Sequence, residues 1–291
     1  MEQQPRFSVI TVTYNNGAFL RQMLDALFSQ PKELFEAILI DNCSTDDSLR
    51  IAREFEAQGL QIIANTQNLG FGGANNQAAK LARGEVLFLL NPDAILPEGG
   101  LLQIAEELQK QPMPGVFGLR LVSMDGSLLM HDGTSVGDQA HCLVPNRAIP
   151  EVEVPKQARA VEVVSGATML VHQAVWQQLG GFDLAFHPAY YEDSDLCLRA
   201  QKQGIPVVTL PVNVRHHENV SAEVESWGFL RMHHRHRWLL IAKHFSIARI
   251  LFKTLPKELA WLMSWRSKRV RKITLNAILA AFPTFLRSRF K

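Results

Sequence analysis

The stretch LFLLNPDAIL, residues 87–96, joins an apolar run to a carboxylate that stands directly behind a proline. The four apolar residues suit a strand that is buried on both faces. Pro92 fixes its own φ and biases Asn91 toward an extended conformation, so the strand is expected to end at Asn91. The next helix is expected to begin at Pro97, so N-capping explains Asp93 poorly. The sequence therefore predicts a functional carboxylate at the end of a buried strand.

The first 110 residues alternate between strand-like and helix-like patterns. We predict strands at 7–16, 37–42, 60–65 and 85–91, and helices at 18–29, 44–59 and 97–110, with another helix ending near 83–84. Strands that are apolar on both faces and alternate with helices indicate an α/β fold with a mostly parallel sheet flanked by helices. Ligands of such sheets bind beyond the carboxyl ends of the strands. Polar residues cluster at those ends, namely Tyr14, Asn15, Asp41, Asn42, Asn65 to Asn68, Asn91 and Asp93.

Composition and charge limit the class of protein. Of the 291 residues 47% are apolar and 20% are charged, which is typical of a globular chain and excludes a disordered one. Residues 246–291 contain 11 Lys/Arg and one acid, a net charge of +10, whereas the first 245 residues contain 19 Lys/Arg and 27 acids, a net charge of −8. This asymmetry indicates an anionic surface as the partner of the C-terminal segment.

Cysteine usage and the N-terminus indicate a cytoplasmic location. Three cysteines without a C-x-x-C pair argue against a disulfide framework or a zinc ribbon, and they fit a reducing compartment. The first 17 residues lack the pattern of a signal peptide, and no uncharged apolar run reaches 18 residues. We therefore expect no spanning helix.

Several polar motifs allow two interpretations each. The glycines of NLGFGG (68–73) follow the third predicted strand rather than the first, so their spacing favours a plain turn over a dinucleotide fingerprint. The acids of YYEDSDLCLR (190–199) can supply a general base or stabilise a helix N-terminus, and the two roles are compatible. Asp46 and Asp47 fit N-capping, and the HHRHR run at 233–237 fits a polar helix face. His216 and His217 can complete the coordination of a divalent ion, although such pairs are commonly just solvated or partly buried.

Six segments, in this order, resemble the family 2 inverting glycosyltransferases of the GT-A fold. They are SVITVTYNNGAFLRQMLDAL, ILIDNCSTDDS, NLGFGGANNQA, VLFLLNPDAIL, SGATMLVHQAVWQQLGGFDLAF and YYEDSDLCLRAQKQG, and they lie between about residues 7 and 217. Within the family, LLNPD and YYEDSDLCLR look most like the rhamnosyltransferase-like branch, which builds bacterial cell-surface polysaccharides. The resemblance implies a Rossmann-like nucleotide-binding half in a catalytic domain at 1–226. From about Trp227 the residue pattern itself predicts a basic, aromatic helical extension, 227–291.

The resemblance also implies the site residues. It assigns the catalytic base to Asp193, and a divalent cation, Mg²⁺ or Mn²⁺, to Asp93 with help from His216. Gly166 and the GGFD turn at 180–183 would shape the sugar and acceptor site. The residues that it implies for the nucleotide sugar are Thr11, Tyr14, Asn15, Asp41, Asn68, Gly70, Asn75, Asn91 and Gly166. Asn91 replaces the first acid of the Asp-x-Asp metal motif found in many GT-A enzymes, so the site has one negative charge fewer.

The implied reaction moves a sugar from a nucleotide-diphosphate donor, with dTDP-L-rhamnose as a candidate, to a lipid-linked or growing glycan. Alternatives are a UDP-sugar-dependent enzyme of the same fold, a nucleotidyltransferase, or a non-catalytic scaffold that binds nucleotide sugars. Basic and aromatic residues alternate in the C-terminal segment, including Trp261, Trp265, Phe282 and the cluster Lys268, Arg269, Arg271 and Lys272. This pattern favours peripheral contact with the inner face of the cell membrane over packing against protein, and no motif indicates nucleic acid.

Overall fold

A computed structural model describes residues 5–143, 148–151, 156–217, 227–264 and 268–289. The described residues form two compact units. The first comprises 5–134, 148–151 and 156–217, and the second comprises 135–143, 227–264 and 268–289. The predicted boundary at 226 falls in the segment 218–226, which lies outside the described residues. The grouping of 135–143 with the C-terminal helices was not predicted.

The first unit begins with the alternation that the sequence predicts. Its early strands are β1 (Phe7–Thr13), β2 (Phe35–Asp41), β3 (Leu60–Ala64) and β4 (Val86–Leu90). The intervening helices are α1 (Gly17–Phe28), α2 (Ser48–Arg53) and α3 (Gly70–Ala79), with short 3₁₀ turns at Lys32–Leu34 and Glu56–Gln58. The predicted helix at 44–59 is thus a shorter helix and a 3₁₀ turn, which ends at Gly59 in a left-handed conformation.

The rest of the first unit adds short strands and three helices. In chain order these are β5 (Ala94–Ile95), α4 (Gly100–Gln109), β6 (Val116–Val122), β7 (Leu128–His131), β10 (Ile149–Pro150), β11 (Arg159–Ala160), β12 (Thr168–His172), α5 (Gln173–Leu179), α6 (Glu192–Lys202) and β13 (Val207–His216); β8 and β9 belong to the second unit. A 3₁₀ turn, Leu184–Phe186, precedes α6.

The sheet is mixed rather than mostly parallel. Its main strand order is β10-β7-β6-β12-β4-β1-β2-β3. The four strands β1 to β4 are parallel to their neighbours in this set, as predicted. The strand β12 is inserted antiparallel between β4 and β6, and β13 runs parallel to β6 while its end pairs antiparallel with β5. The prediction of a mostly parallel sheet therefore holds for residues 7–90, whereas among the later strands that the structure describes only the β6–β13 pair is parallel.

The core of the first unit lies between the sheet and its helices. Phe7, Leu24, Phe88 and Phe117 are fully buried in one apolar cluster. Every residue of β2 and β4 is buried, which matches the continuous apolar runs of these strands. Burial of each large apolar side chain contributes about 1.5–3 kcal/mol. This packing holds the carboxyl ends of β1, β2 and β4 in a fixed arrangement.

The second unit is a hairpin with helices. The strands β8 (Ser135–Val136) and β9 (Cys142–Leu143) pair antiparallel. The helices are α7 (Trp227–His244), α8 (Ile247–Arg249), α9 (Leu255–Met263) and α10 (Lys268–Arg289), with a π-helical turn, Ile250–Thr254, between α8 and α9. The helical prediction from Trp227 onward is confirmed for the described residues. Within the part of the chain that the structure describes, none of the helices is both long and apolar enough for a bilayer span.

Candidate active site

The ends of β1 and β2 place polar groups next to each other. Thr13 and Asp41 are register partners, and both are buried. One oxygen of Asp41, Oδ2, accepts a hydrogen bond of 3.3 Å from the Ser44 backbone, whereas Oδ1 is buried without a hydrogen-bond partner. The hydroxyl of Thr13 also has no hydrogen-bond partner. Unpaired acceptors in a buried position are costly, so a ligand that donates an N–H or O–H group would stabilise them.

The loops beyond these strands are linked by Asn15. Its backbone has a left-handed φ of 56°, and its side-chain oxygen accepts a hydrogen bond of 2.8 Å from the Thr45 backbone. Its own backbone N–H donates to the Ser44 hydroxyl at 3.0 Å. Tyr14 is exposed beside it, while Thr11 is buried in the body of β1. Tyr14 is therefore accessible at the strand end, and Asn15 is engaged in holding the two loops together.

Residues 70–73 of the glycine-rich segment form the first turn of α3, and residues 68–69 lead into it. The Asn42 side-chain oxygen accepts a hydrogen bond of 2.9 Å from the Leu69 backbone, and its amide nitrogen donates to the Asn68 side-chain oxygen at 2.8 Å. The Asn68 oxygen in turn accepts from the Gly70 backbone at 2.8 Å. The buried Asn75 donates to the Phe71 carbonyl at 2.9 Å. Asn68 and Asn75, which were predicted to line the donor site, thus form hydrogen bonds at the first turns of this helix.

Gly70 is required by a contact within the chain. It has a left-handed φ of 72°, and an added Cβ would lie 2.6 Å from the imidazole Nδ1 of His187 and from the carbonyl oxygen of Pro188. The following Phe71 backbone N–H donates to the same Pro188 carbonyl at 2.7 Å. The close approach that glycine permits here is to the segment before α6.

The short strand β5 brings His216 to Asp93. His216 is the register partner of Ala94, and the His217 backbone donates to the Asp93 carbonyl at 3.2 Å. The His216 Nε2 and Asp93 Oδ1 atoms are 3.3 Å apart, but their alignment does not make a hydrogen bond. Asp93 Oδ1 and both ring nitrogens of His216 are buried without hydrogen-bond partners. Two residues that are 123 positions apart in the sequence therefore present free ligand atoms side by side.

These two side chains fit a divalent cation. A carboxylate and a neutral imidazole are both metal ligands, and Mg²⁺ usually takes one or two protein carboxylates together with waters and substrate phosphates. No group of three or more His, Cys, Asp or Glu side chains is arranged for a metal within the described residues. Asn91 donates its backbone N–H to the Ala167 carbonyl at 2.9 Å and accepts from Ala94 at 3.1 Å, so its backbone shapes the turn before β5.

Asp193 is held at the start of α6 by three donors. Its Oδ2 accepts from the Gly166 backbone at 3.0 Å, and its Oδ1 accepts from the backbone and hydroxyl of Ser194 at 2.6 and 3.2 Å. Burial raises the pKa of Asp193 above its usual range, although these hydrogen bonds oppose the shift. The side chain is half-buried, so it is fixed in orientation and still accessible. The predicted residues Gly166 and Asp193 are brought into direct contact.

The other two acids of this cluster differ from Asp193. Asp195 is buried and forms an ion pair of 2.7 Å with Arg199, which also donates to the Leu179 and Gly181 carbonyls. Asp195 thereby fixes the turn at 180–183 to α6. Burial raises the pKa of Glu192 well above its usual range, and the charge of Asp193 raises it further. The three acids thus differ in environment. Asp195 is paired with Arg199, Glu192 is buried with a raised pKa, and Asp193 is partly exposed.

Residues 8–172, more than half of the chain, match the family model described as Glycosyl transferase family 2. The chain belongs to glycosyl transferase family 2. This family 2 member is 27% identical over 231 residues to the O-antigen biosynthesis protein RfbC of Myxococcus xanthus. The aligned region covers 76% of this chain and 18% of that protein. It is 26% identical over 261 residues to N-acetylglucosaminyl-diphospho-decaprenol L-rhamnosyltransferase of Mycobacterium tuberculosis, covering 82% and 84% of the two chains. The chain thus spans less than a fifth of the first relative and most of the second.

Solved structures show the fold of this family 2 member. Staphylococcus aureus TarS 1–349 in complex with UDP-GlcNAc superposes with a TM-score of 0.65 at 19% identity, covering 96% of this chain and 81% of that one. The mannosyltransferase PcManGT of Pyrobaculum calidifontis in complex with GDP-Man and Mn²⁺ gives a TM-score of 0.58 at 18% identity, covering 97% and 76%. The predicted GT-A fold is confirmed by these likenesses.

The sequence analysis did not single out Thr13, and it named Asn42 only as one of the polar residues at the strand ends. Thr13 lies two positions after the predicted Thr11, and the period of two along a strand puts both on the same face. Asn42 directly follows the predicted Asp41 at the strand end. Both signals were present in the sequence, but the hydrogen bond of Asn42 to α3 depends on packing between distant segments.

Proposed function

We propose that this family 2 member transfers a sugar, with inversion, from a nucleotide-diphosphate sugar to a lipid-linked or growing glycan in cell-surface polysaccharide synthesis. The observation that carries the proposal is the half-buried Asp193 carboxylate, which three hydrogen bonds orient and whose pKa is raised by burial. A carboxylate with a raised pKa is better matched to accepting a proton near neutral pH. The match to the mycobacterial rhamnosyltransferase over most of both chains supports dTDP-L-rhamnose as the donor.

The reaction is a direct displacement at the anomeric carbon. The acceptor hydroxyl oxygen forms a bond to this carbon as the bond to the diphosphate oxygen breaks, and the electron pair leaves with the diphosphate. Asp193 takes the hydroxyl proton during the attack, because a neutral hydroxyl is a weak nucleophile. The fixed orientation of Asp193 by Gly166 and Ser194 supports its role in this step, since positioning supplies part of the rate.

Asp93 and His216 are proposed to hold a divalent cation at the diphosphate. Their free buried atoms fit this role, and Asp41 with Thr13 would receive the donor groups of the nucleoside. A bound Mg²⁺ or Mn²⁺ would offset the negative charge that develops on the leaving diphosphate. Because Asn91 contributes no charge, we expect the cation to bind more weakly in the absence of the donor.

A UDP-sugar is the second candidate donor. It is favoured by the fold likeness to TarS, whose structure was solved with UDP-GlcNAc. A panel of dTDP-, UDP- and GDP-sugars, tested with Mg²⁺ or Mn²⁺ by thermal shift, distinguishes the donors. A ligand at about 100 times its dissociation constant stabilises the native protein by about 2.7 kcal/mol.

The substitution Asp193→Asn tests the assignment of the base. We expect transfer to fall by about 10²–10⁴-fold while donor binding, measured by thermal shift, is retained, because the amide keeps the shape but accepts no proton. Asp25→Asn, at an exposed position on α1, is the matched control and should leave turnover unchanged. Full turnover by Asp193→Asn would refute the base assignment. Donor binding by the wild type without transfer to any acceptor would instead support a scaffold.

The location follows from the acceptor. A lipid-linked acceptor is made at a membrane and a nucleotide sugar is a cytoplasmic metabolite, so we propose that the protein works at the cytoplasmic face of the cell membrane. The basic C-terminal helices support this proposal through their charge.

A further inference from the structure

An apolar row extends along the exposed side of α10. Its members are Leu275, Leu279, Phe282 and Leu286, spaced by four, three and four residues, which is the repeat of one helix face. Leu279 is 70% exposed and Phe282 is 57% exposed. The buried residues of the same helix, including Ala277 and Ala281, fall on the other side. The row therefore lacks any cover from the described part of the chain.

A second row lies on the π-helical turn and α9. Phe252 is 78% exposed, Leu259 57% and Met263 82%. The residues that face inward are Thr254, which donates to the Asp138 carbonyl at 2.7 Å, and Glu258. Of the fifteen large apolar side chains that are exposed among the described residues, nine lie between Ile247 and Leu286. Such a concentration is unusual for a solvated surface and indicates a binding face.

The charge of this segment is basic on the outside. Its single acid, Glu258, is 1% exposed and is held by Arg237 through two hydrogen bonds, one of 2.9 Å to its Oε2. Lys253 and Lys272 are exposed. With this acid buried and paired, Lys253 and Lys272 give the described part of the segment an exposed positive charge. The predicted residue Trp265 lies outside the described residues.

We propose that these two rows dock on an anionic lipid bilayer, with the apolar side chains inserted at the headgroup boundary and the lysines on the lipid phosphates. A second copy of the chain would bring a net charge of +10 against an identical charge, which opposes association, whereas an anionic bilayer complements it. Apolar side chains flanked by lysines are the composition of interfacial helices. This inference rests on the membrane location proposed above and names the surface that makes the contact, whereas it does not depend on the identity of the transferred sugar.

Vesicle flotation of the full chain tests the proposal. With phosphatidylcholine vesicles that contain phosphatidylglycerol, we expect the protein to float, and with phosphatidylcholine alone we expect clearly weaker binding. The double variant Leu279→Glu, Phe282→Glu should bind roughly tenfold more weakly or worse, because burial of each side chain is lost. Leu102→Glu, at an exposed position of α4, is the matched control and should float like the wild type.

A second variant separates charge from apolar insertion. Lys253→Gln with Lys272→Gln keeps both rows intact and should weaken the preference for phosphatidylglycerol, because each lysine near the surface contributes about 1 kcal/mol. Circular dichroism and thermal unfolding establish that each variant is folded. The proposal is overturned if the folded Glu variant floats as well as the wild type. It is also overturned if the wild type ignores vesicles and sediments as a dimer that the Glu variant disrupts. Donor binding by thermal shift reports separately on the proposed transferase function.

Discussion

At the scale of single residues, Glu192 differs most from its neighbours. Its carboxyl is buried and its Oε2 atom has no hydrogen-bond partner. Burial holds the pKa of Glu192 well above its ordinary value of 4.5, and the charge on Asp193 adds to the shift. A neutral Glu192 leaves Asp193 as the ionised member of the pair, which suits the role proposed for it.

The free energy of unfolding of Glu192→Gln should exceed that of the wild type by an amount that grows as the pH rises. Below the ordinary pKa of 4.5, glutamic acid is neutral in both states, so the variant and the wild type should have similar stability. Above it, the unfolded state releases its proton while the folded state keeps it until the raised pKa is reached. Over that window the wild type loses about 1.4 kcal/mol per pH unit and the variant does not.

Urea unfolding at a series of pH values measures this difference. Glu98→Gln, on the surface, is the control and should show no gain that grows with pH. A wild type and Glu192→Gln variant of equal stability across the whole series would mean that Glu192 ionises normally in the folded protein.

At the scale of elements, the N-terminus of α3 shows how a helix replaces an expected turn. Glycines are poor helix residues, and their local pattern favoured a turn. The side-chain oxygens of Asn42 and Asn68 accept hydrogen bonds from the first backbone N–H groups, and the Pro188 carbonyl accepts the next. Tertiary contacts thus override local preference. No pattern within residues 68–76 could have indicated a contact with residues 187–188.

Gly70→Ala should strongly destabilise this junction. The left-handed φ costs an alanine about 1–2 kcal/mol, and the added Cβ would collide with His187 and Pro188, at about 1–3 kcal/mol more. Gly99→Ala is the matched control, because Gly99 has a φ of 66° and nothing within 4 Å of an added Cβ. The difference between their free energies of unfolding measures the collision. If the two variants lose equal stability, the packing of His187 and Pro188 against Gly70 is looser than described.

The strands were the elements that the sequence predicts best, whereas the pairing between distant strands was predicted least. Apolar runs of four and five residues mark β2 and β4, and β1 is apolar apart from its Ser and Thr residues, because strands buried on both faces need such side chains. Asp93 was predictable from its place behind Pro92. Its contact with His216 depends on the pairing of a two-residue strand with the end of β13, which no local signal encodes. The inserted strand β12 was missed for the same reason.

At the scale of the whole molecule, the described residues form two compact units, and the second of them has a buried polar anchor. In the second unit this anchor is the ion pair between Arg237 and Glu258, both 1% exposed. Arg237 also donates to the Gln139 carbonyl at 2.9 Å, and Gln139 donates to Glu258 at 3.0 Å. The pair therefore holds the hairpin segment 135–143 to α7 and α9. No local sequence signal indicates this grouping, because Arg237 and the Gln139 that it joins are 98 positions apart.

Glu258→Ala should destabilise the second unit by about 3–5 kcal/mol, since it leaves the Arg237 charge buried and unpaired. Calorimetry should show an unfolding transition that moves to lower temperature while donor binding persists. The double variant Arg237→Met, Glu258→Leu removes both charges and should recover most of the loss. No recovery in the double variant would mean that packing, and not the unpaired charge, accounts for the effect.

The hydrogen bond between the Asn91 backbone and Ala167 has a further consequence. Ala167 adjoins Gly166, which holds Asp193, and Asn91 leads into the turn that carries Asp93. The segments that carry the proposed base and the proposed metal ligand are thus joined by a backbone hydrogen bond next to the last register pair of β4 and β12. This bond sets how far apart the two segments lie. Loops that select the sugar or the acceptor can therefore change in sequence without changing the distance between the Asp193 and Asp93 segments.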